Sequence, residues 1–311
     1  MNAFPSVAVI DIGSNSIKIL VAQRTSSGGL TSLFYKTLDA RISAGISKAE
    51  PRLSDEGMAR GLAAVKELLA DAANFLPAKT ILVATSAVRD AANGADFRQR
   101  IFDNTGYGVR ILTGDEEANL IGRGPTCDPA LAGLQNFYLF DLGGGSLECL
   151  SFQNRTIRQA QSFQLGCVRL TERCVADPTK AFTDEARLRV SELTKEKLAK
   201  NGFAFDLPPG AVTIGTGGTL TTARTILAAR DGKKLEDIST TITVAQLREL
   251  LQLVGSVDLD TRRKIPGVPF GRADVMPAAL ATFIALADFG GVKEFVNSLY
   301  NLRWGVADEA I

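Results

Sequence analysis

The hydrophobic pattern changes period along the chain. Three strand-like runs come first, at 7–10, 17–22 and 30–38, with Ser27-Gly28-Gly29 as a hairpin turn between the second and third. The period then turns helical: Leu62, Val65, Leu68, Leu69, Ala72 and Phe75 recur at helical spacing, with Ser54-Asp55-Glu56-Gly57 as a start and Pro77 as a stop. A short buried strand is predicted at 81–84, then a helical stretch through Arg98 to Phe102, another strand at 109–112, and a helix from Asp115 to Ile121. Residues 122–133 mix Gly, Pro, Thr, Cys and Asp, which predicts a domain boundary near residue 124.

The second half repeats the opening. Runs at 137–140, 147–152 and 156–163 read as three strands, followed by a long charged helix at 183–200. A strand at 211–214 leads into Gly215-Thr216-Gly217-Gly218-Thr219. Helical patterns follow at 244–253, 258–264 and 273–288, then a strand at 295–299 and a terminal helix. Strands first, then strand and helix in alternation, occur in both halves. This predicts a duplicated α/β fold with mixed sheets.

Two short segments sharpen the duplication. Asp11-Ile12-Gly13-Ser14-Asn15-Ser16 and Asp141-Leu142-Gly143-Gly144-Gly145-Ser146 each follow an apolar run. Each is a buried strand that ends in an acidic residue and turns through glycines and hydroxyls. Such a turn aims several backbone N–H groups at one point, a ready site for phosphate oxygens. The pair implies a phosphate-binding cleft between two related halves.

Composition narrows the chemistry. At 311 residues and 33.1 kDa the chain exceeds the usual size of one domain. Its formal net charge of +1 supplies no global field for nucleic acid or an anionic membrane. No apolar run spans a bilayer, and Met1-Asn2-Ala3-Phe4-Pro5-Ser6 carries no basic segment before an apolar stretch, so a cytoplasmic protein is expected. Cys127, Cys149, Cys167 and Cys174 show no metal-site spacing and read as free thiols, mostly buried. The chain has no histidine, which removes Ser-His-Asp and Cys-His hydrolases and His-ligated metals together. Acid–base work falls to Asp, Glu, Lys, Tyr, Cys or water, and any metal is a hard, oxygen-ligated cation such as Mg²⁺.

The candidate residues follow. Asp11 and Asp141 lie at strand ends, where they either cap their own glycine turns or orient Mg²⁺ through water. Glu148, on the strand after Asp141, is a second metal candidate. Ser14, Asn15, Ser16, Gly144, Gly145 and Ser146 are phosphate donors, and Gly215-Thr216-Gly217-Gly218 is a third cradle at a helix N-terminus. Asp115-Glu116-Glu117 opens a helix, where the macrodipole alone accounts for acidic residues; the sharper reading makes Glu117 a general base. Arg89 either clamps a phosphate or pairs with Asp90. Lys18, Arg41, Arg169 and Arg272 are further cations.

Taken together, Val9-Ile10-Asp11-Ile12-Gly13-Ser14-Asn15-Ser16, Ala84-Thr85-Ser86-Ala87-Val88-Arg89, Thr113-Gly114-Asp115-Glu116-Glu117-Ala118, Asp141-Leu142-Gly143-Gly144-Gly145-Ser146, Leu165-Gly166-Cys167-Val168-Arg169-Leu170 and Ile214-Gly215-Thr216-Gly217-Gly218-Thr219 carry a resemblance. The chain resembles the exopolyphosphatase and guanosine pentaphosphate phosphohydrolase family, within the actin-like superfamily of sugar kinases and heat-shock chaperone ATPases. The resemblance implies two actin-like, ribonuclease H-like domains around an interdomain cleft. Domain I would span 1–124, completed by the C-terminal helix 303–311, and domain II 125–302. It implies Mg²⁺-dependent release of a terminal phosphate from inorganic polyphosphate or guanosine penta- or tetraphosphate, with a homodimer as one arrangement.

By motif, Glu117 matches the catalytic base. Asp141 and Glu148, with Asp11 as the equivalent of Asp141, match the metal side. Ser14, Asn15, Arg89, Gly144, Gly145, Ser146, Gly217 and Gly218 match phosphate-binding positions, and Gly13, Ser16, Gly143, Gly215 and Thr216 join them as candidates from the same turns. Two positions depart from the family pattern: Leu147 replaces a threonine, and Asn301 replaces a glycine in Ser298-Leu299-Tyr300-Asn301-Leu302-Arg303-Trp304-Gly305. The chain also ends before the extra helical domains of longer relatives. A non-hydrolytic alarmone sensor and a small-molecule kinase are the alternatives.

Overall fold

The computed structural model describes residues 4–44, 46–47 and 50–311. The chain forms two compact units, residues 1–133 with 300–311, and residues 134–299.

Unit 1 opens with an antiparallel meander, β1 (Ser6–Ile12), β2 (Ile17–Arg24) and β3 (Leu30–Leu38). Then come α1 (Asp55–Ala73), β4 (Lys79–Ala84), α2 (Ser86–Asp90), α3 (Gly94–Thr105), β5 (Val109–Ile111) and α4 (Gly114–Thr126). The sheet order is β3-β2-β1-β4-β5, with β4 parallel to both β1 and β5. Ile10, Ile12, Ile17 and Ile19 pack with Val65 and Leu68 of α1 and Phe97 and Ile101 of α3. Ser54 caps α1 by accepting from the Gly57 N–H, as its position before the apolar stripe predicts.

Unit 2 runs β6 (Phe137–Leu142), β7 (Leu147–Gln153), β8 (Thr156–Phe163), α5 (Cys167–Cys174), α6 (Asp184–Lys200), β9 (Val212–Thr216) and α7 (Gly218–Arg230). It continues with β10 (Thr241–Thr243), α8 (Val244–Gly255), α9 (Leu259–Arg262), α10 (Met276–Gly290) and β11 (Glu294–Asn297). The last helix, α11 (Leu302–Ala310), belongs to unit 1 and packs on α4 and β1. That second cover explains why β1 is apolar on both faces: Ala8, Ile10 and Ile12 meet the α1 side, and Val7 and Val9 are equally buried.

The duplication holds in the topology. The order β8-β7-β6-β9-β11 repeats β3-β2-β1-β4-β5 with the same strand senses, and β10 is added antiparallel at the far edge. Even the irregularities agree. The ladder of β2 on β3 shifts between Val21 and Ala22, and that of β7 on β8 between Ser151 and Phe152, the fifth and sixth residues of each middle strand. α10 is buried almost all round from Met276 to Ala287 and is the central helix of its core.

Several expected boundaries move. The helical stretch toward Phe102 breaks into α2 and α3 because Asn93 is tied to Leu53 through both amide atoms, at 2.9 Å each. Residues 122–126, where mixed composition predicted a domain boundary, continue α4, with Pro125 one residue before the helix ends. The final strand covers Glu294–Asn297 rather than 295–299. Helix α5 was not expected. All four cysteines are free, and Cys149, Cys167 and Cys174 are buried. No helix among the described residues is long and apolar enough to cross a membrane.

Candidate active site

In unit 1 the candidates collect at the C-terminal ends of parallel strands, the edge where open α/β sheets bind ligands. β1 ends at Ile12, and Gly13-Ser14-Asn15-Ser16 turns the chain into β2 with all three polar side chains buried. β4 ends at Ala84 and delivers α2, whose Ser86 hydroxyl lies 3.3 Å from that of Ser14. After β5, Thr113 starts α4 with a capping box: its hydroxyl accepts from the Glu116 N–H, and the Glu116 carboxylate accepts from the Thr113 N–H. The Thr113 N–H, then Arg110, hold the Glu116 carboxyl below its ordinary value.

The capping role consumes Glu116 and leaves Glu117 for other work. Glu117 is 4% exposed, and Arg89 Nη1 donates to its Oε2 at 2.6 Å. Arg89 also donates to the Leu112 carbonyl at 3.0 Å and lies 3.4 Å from Asp90. The structure therefore joins Glu117 to Arg89, and Ser14 to Ser86 on the same helix as Arg89. Two polar atoms near the turn have no hydrogen-bond partner although buried, Oδ1 of Asp11 and Nδ2 of Asn15. A buried unsatisfied group costs about 1–3 kcal/mol, so each is a candidate contact for a ligand atom.

In unit 2 Asp141 and Glu148 face each other across β6 and β7. Directly opposed residues share one face, so two carboxylates stand side by side. Glu148 accepts from the Ser162 hydroxyl at 2.8 Å and Asp141 Oδ2 from the Thr216 hydroxyl at 2.8 Å. The same position in unit 1 pairs Asp11 with Lys18 instead. Only unit 2 thus has the carboxylate pair. Among the described residues no cluster of three or more His, Cys, Asp and Glu occurs. Two hard oxygen donors without a third suit Mg²⁺, which is commonly held by one or two carboxylates plus water and substrate phosphate.

The third segment lies beside this pair. β9 ends at Thr216, and Gly217, at φ 86°, is the N-cap of α7 with no side-chain cap. The first amides of α7 are free of intrahelical acceptors and favour an anion. Thr219 Oγ1 is fully buried there and partnerless. The guanidinium of Arg272 lies against Gly218, where any Cβ would collide with it. Sequence reading named Arg272 only as one cation among several, because 54 residues separate it from Gly218 and no local pattern joins them. Ser162 was missed as well, although it pairs with Glu148 across the β7–β8 hairpin.

The two departures, Leu147 in unit 2 and Asn301 in unit 1, sit in different surroundings. Leu147 packs in the apolar core with Leu142 and Phe163, and strand alternation turns it away from the Glu148 face. Asn301 sits at φ −139°, ψ −155°, extended backbone that needs no glycine, but its Oδ1 is buried without a hydrogen-bond partner.

The repeated sheet order, with glycine turns at its strand ends, defines a duplicated α/β protein. A family model, the Ppx/GppA phosphatase family, matches residues 20–311, and the chain belongs to that family. An exopolyphosphatase-like protein of known structure is similar at 25% identity and TM-score 0.87, over 99% of this chain and 98% of that one. An exopolyphosphatase from Cytophaga hutchinsonii matches at 24% identity and TM-score 0.86, over 97% and 96%. The Aquifex aeolicus family member matches at 24% and 0.78, over 99% and 97%.

Proposed function

We propose that the protein hydrolyses the terminal phosphoanhydride of a phosphate chain, inorganic polyphosphate or pppGpp. Glu117 carries the reading: a buried carboxylate at a helix start, oriented by Arg89, in a chain without histidine. Glu117 takes a proton from water as the water oxygen attacks the terminal phosphorus. The bridging P–O bond breaks, and the shortened chain leaves with the bond electrons. Membership of a phosphatase family and the likeness to a protein named as an exopolyphosphatase support this chemistry.

Gly13, Ser14, Asn15 and Ser16 in unit 1, and Gly144, Gly145, Ser146, Gly217 and Gly218 in unit 2, supply donors to phosphate oxygens, whereas the Gly143 N–H is given to the Ser146 carbonyl, the Thr216 hydroxyl to Asp141, and Gly215 lies paired within β9. Arg89 orients the base and adds positive charge beside the phosphate. Asp141 and Glu148 would hold Mg²⁺, and Asp11 is the equivalent carboxylate of unit 1. The ion, when bound, neutralises charge on the transferred phosphoryl group. The test is phosphate release by the purified protein from tripolyphosphate, long-chain polyphosphate and pppGpp, with Mg²⁺ and with EDTA. Turnover of at least one substrate that EDTA abolishes is expected. Tight nucleotide binding with no phosphate released over hours would replace the hydrolase with a sensor.

A further inference from the structure

The two glycine turns are held by the same device, although the segments that hold them are unrelated. In unit 1 the strap after β3 covers the Gly13–Ser16 turn. Its Arg41 N–H donates to the Asn15 carbonyl at 2.8 Å, and the Ser43 N–H and hydroxyl donate to the Ser14 carbonyl at 3.3 and 3.1 Å. In unit 2 the start of α5 covers the Gly143–Ser146 turn. The Cys167 and Val168 N–H groups donate to the Gly143 and Gly144 carbonyls, both at 2.9 Å. Gly166 is pressed so close that a Cβ would enter the backbone of Gly144 and Gly145.

An arginine completes each clamp, and through the same atom. Arg169 Nε donates to the Gly145 carbonyl at 3.1 Å, and Arg41 Nε donates to Asn15 Oδ1 at 3.3 Å. A guanidinium has donors only. In unit 1 it therefore fixes which end of the Asn15 carboxamide faces it, and leaves Nδ2 as the buried donor without a partner. Arg41 is held at φ 41°, a left-handed conformation unusual for a non-glycine residue, which persists only where surrounding bonds impose it. Arg169 is 2% exposed, too deep to act as a surface charge.

We propose that Arg41 and Arg169 are matched positioning residues. Each occupies acceptors of its glycine turn, so that the turn meets its ligand with donors alone. The ligand is the phosphate chain of the proposed function, and the inference deepens that reading. The contact assigned to each is the N–H at the Nε position.

Glutamine tests this directly, because its Nε2 stands the same number of bonds from Cα as arginine Nε, while methionine matches the length and has no donor. Arg41→Gln, Arg41→Met, Arg169→Gln and Arg169→Met are compared with the parent protein for kcat and KM on tripolyphosphate. Hydrogen exchange of peptides covering 11–17 and 141–147 is measured without ligand. The Met variants are expected to raise KM about tenfold, the scale of one buried carbonyl or amide left unpaired, with kcat changed less than about twofold. Exchange quickens in the matching turn only, and Gln restores both readouts. Gln failing as badly as Met, with exchange unchanged, would show that the charge itself meets the ligand and overturn the clamp. Variants indistinguishable from the parent would overturn it as well. If the parent protein releases no phosphate from any phosphoanhydride, the proposed function fails, and the exchange arm alone still decides the clamp.

Discussion

Replacing Gly217 by alanine probes the junction of β9, α7 and Asp141 in one step. The residue lies at φ 86°, ψ 177°, a region open almost only to glycine, so any side chain there costs about 1–3 kcal/mol of backbone strain. The new Cβ would also sit 2.6 Å from Asp141 Oδ1 and 3.1 Å from the Leu142 carbonyl. Overpacking of this kind costs about 1–3 kcal/mol more. Gly217→Ala should therefore lose about 2–6 kcal/mol, a large part of the roughly 5–15 kcal/mol that holds a domain together. Urea unfolding followed by circular dichroism reads that loss as a lower midpoint at unchanged slope. Relief of the clash must displace the Asp141 carboxylate, so activity surviving in the folded fraction should fall about a hundredfold, the scale of one misplaced electrostatic group. A loss under about 0.5 kcal/mol, with activity intact, would refute the geometry assigned to this loop.

Three further outcomes follow from the same structure. Glu148→Gln removes one of two opposed carboxylates but keeps its acceptor for Ser162, so the Mg²⁺ concentration for half-maximal rate should rise at least about tenfold, read by titrating Mg²⁺ under saturating substrate. The Glu116 carboxyl is held below its ordinary value by the Thr113 N–H, then by Arg110. Its stabilisation is present above the ordinary glutamate range and lost as pH falls through the lowered folded value. Glu116→Gln should flatten that acid limb in thermal melts between neutral and acid pH, and an unchanged limb would contradict the capping box as its source. Burial, with Asp308 nearby, pushes the Cys127 thiol up to about 11. Iodoacetamide should therefore label the native protein slowly at pH 8, with a rate that climbs as pH approaches that value.

The repeat was legible because it rests on local signals. Apolar strands that end in Asp-x-Gly state both where a sheet ends and where its turn exposes amides, and the two copies carry the same order of elements. Glu117 was singled out from its acidic neighbours through its motif, but what Glu116 does was not legible. Its role comes from the capping box, which occupies Glu116 and leaves Glu117 to Arg89. The break after α2 was invisible because the bonds of Asn93 run to Leu53, 40 residues back. Arg272 against Gly218 is likewise a tertiary meeting that no spacing encodes, whereas Ser162 faces Glu148 across the β7–β8 hairpin, a pairing set by the register of two adjacent strands. Leu147 misled in the other direction: read as a lost hydroxyl at the site, it is a core residue on the opposite face of its strand.

The central claim is that Glu117, held by Arg89, activates the attacking water. It is tested most directly by the single-turnover rate of phosphate release from tripolyphosphate at saturating Mg²⁺, with Glu117→Ala compared with the parent protein at matched folded fraction. A missing general base should lower the rate by about 10²–10⁴-fold while tripolyphosphate still binds. Equal rates in the two proteins would contradict the account.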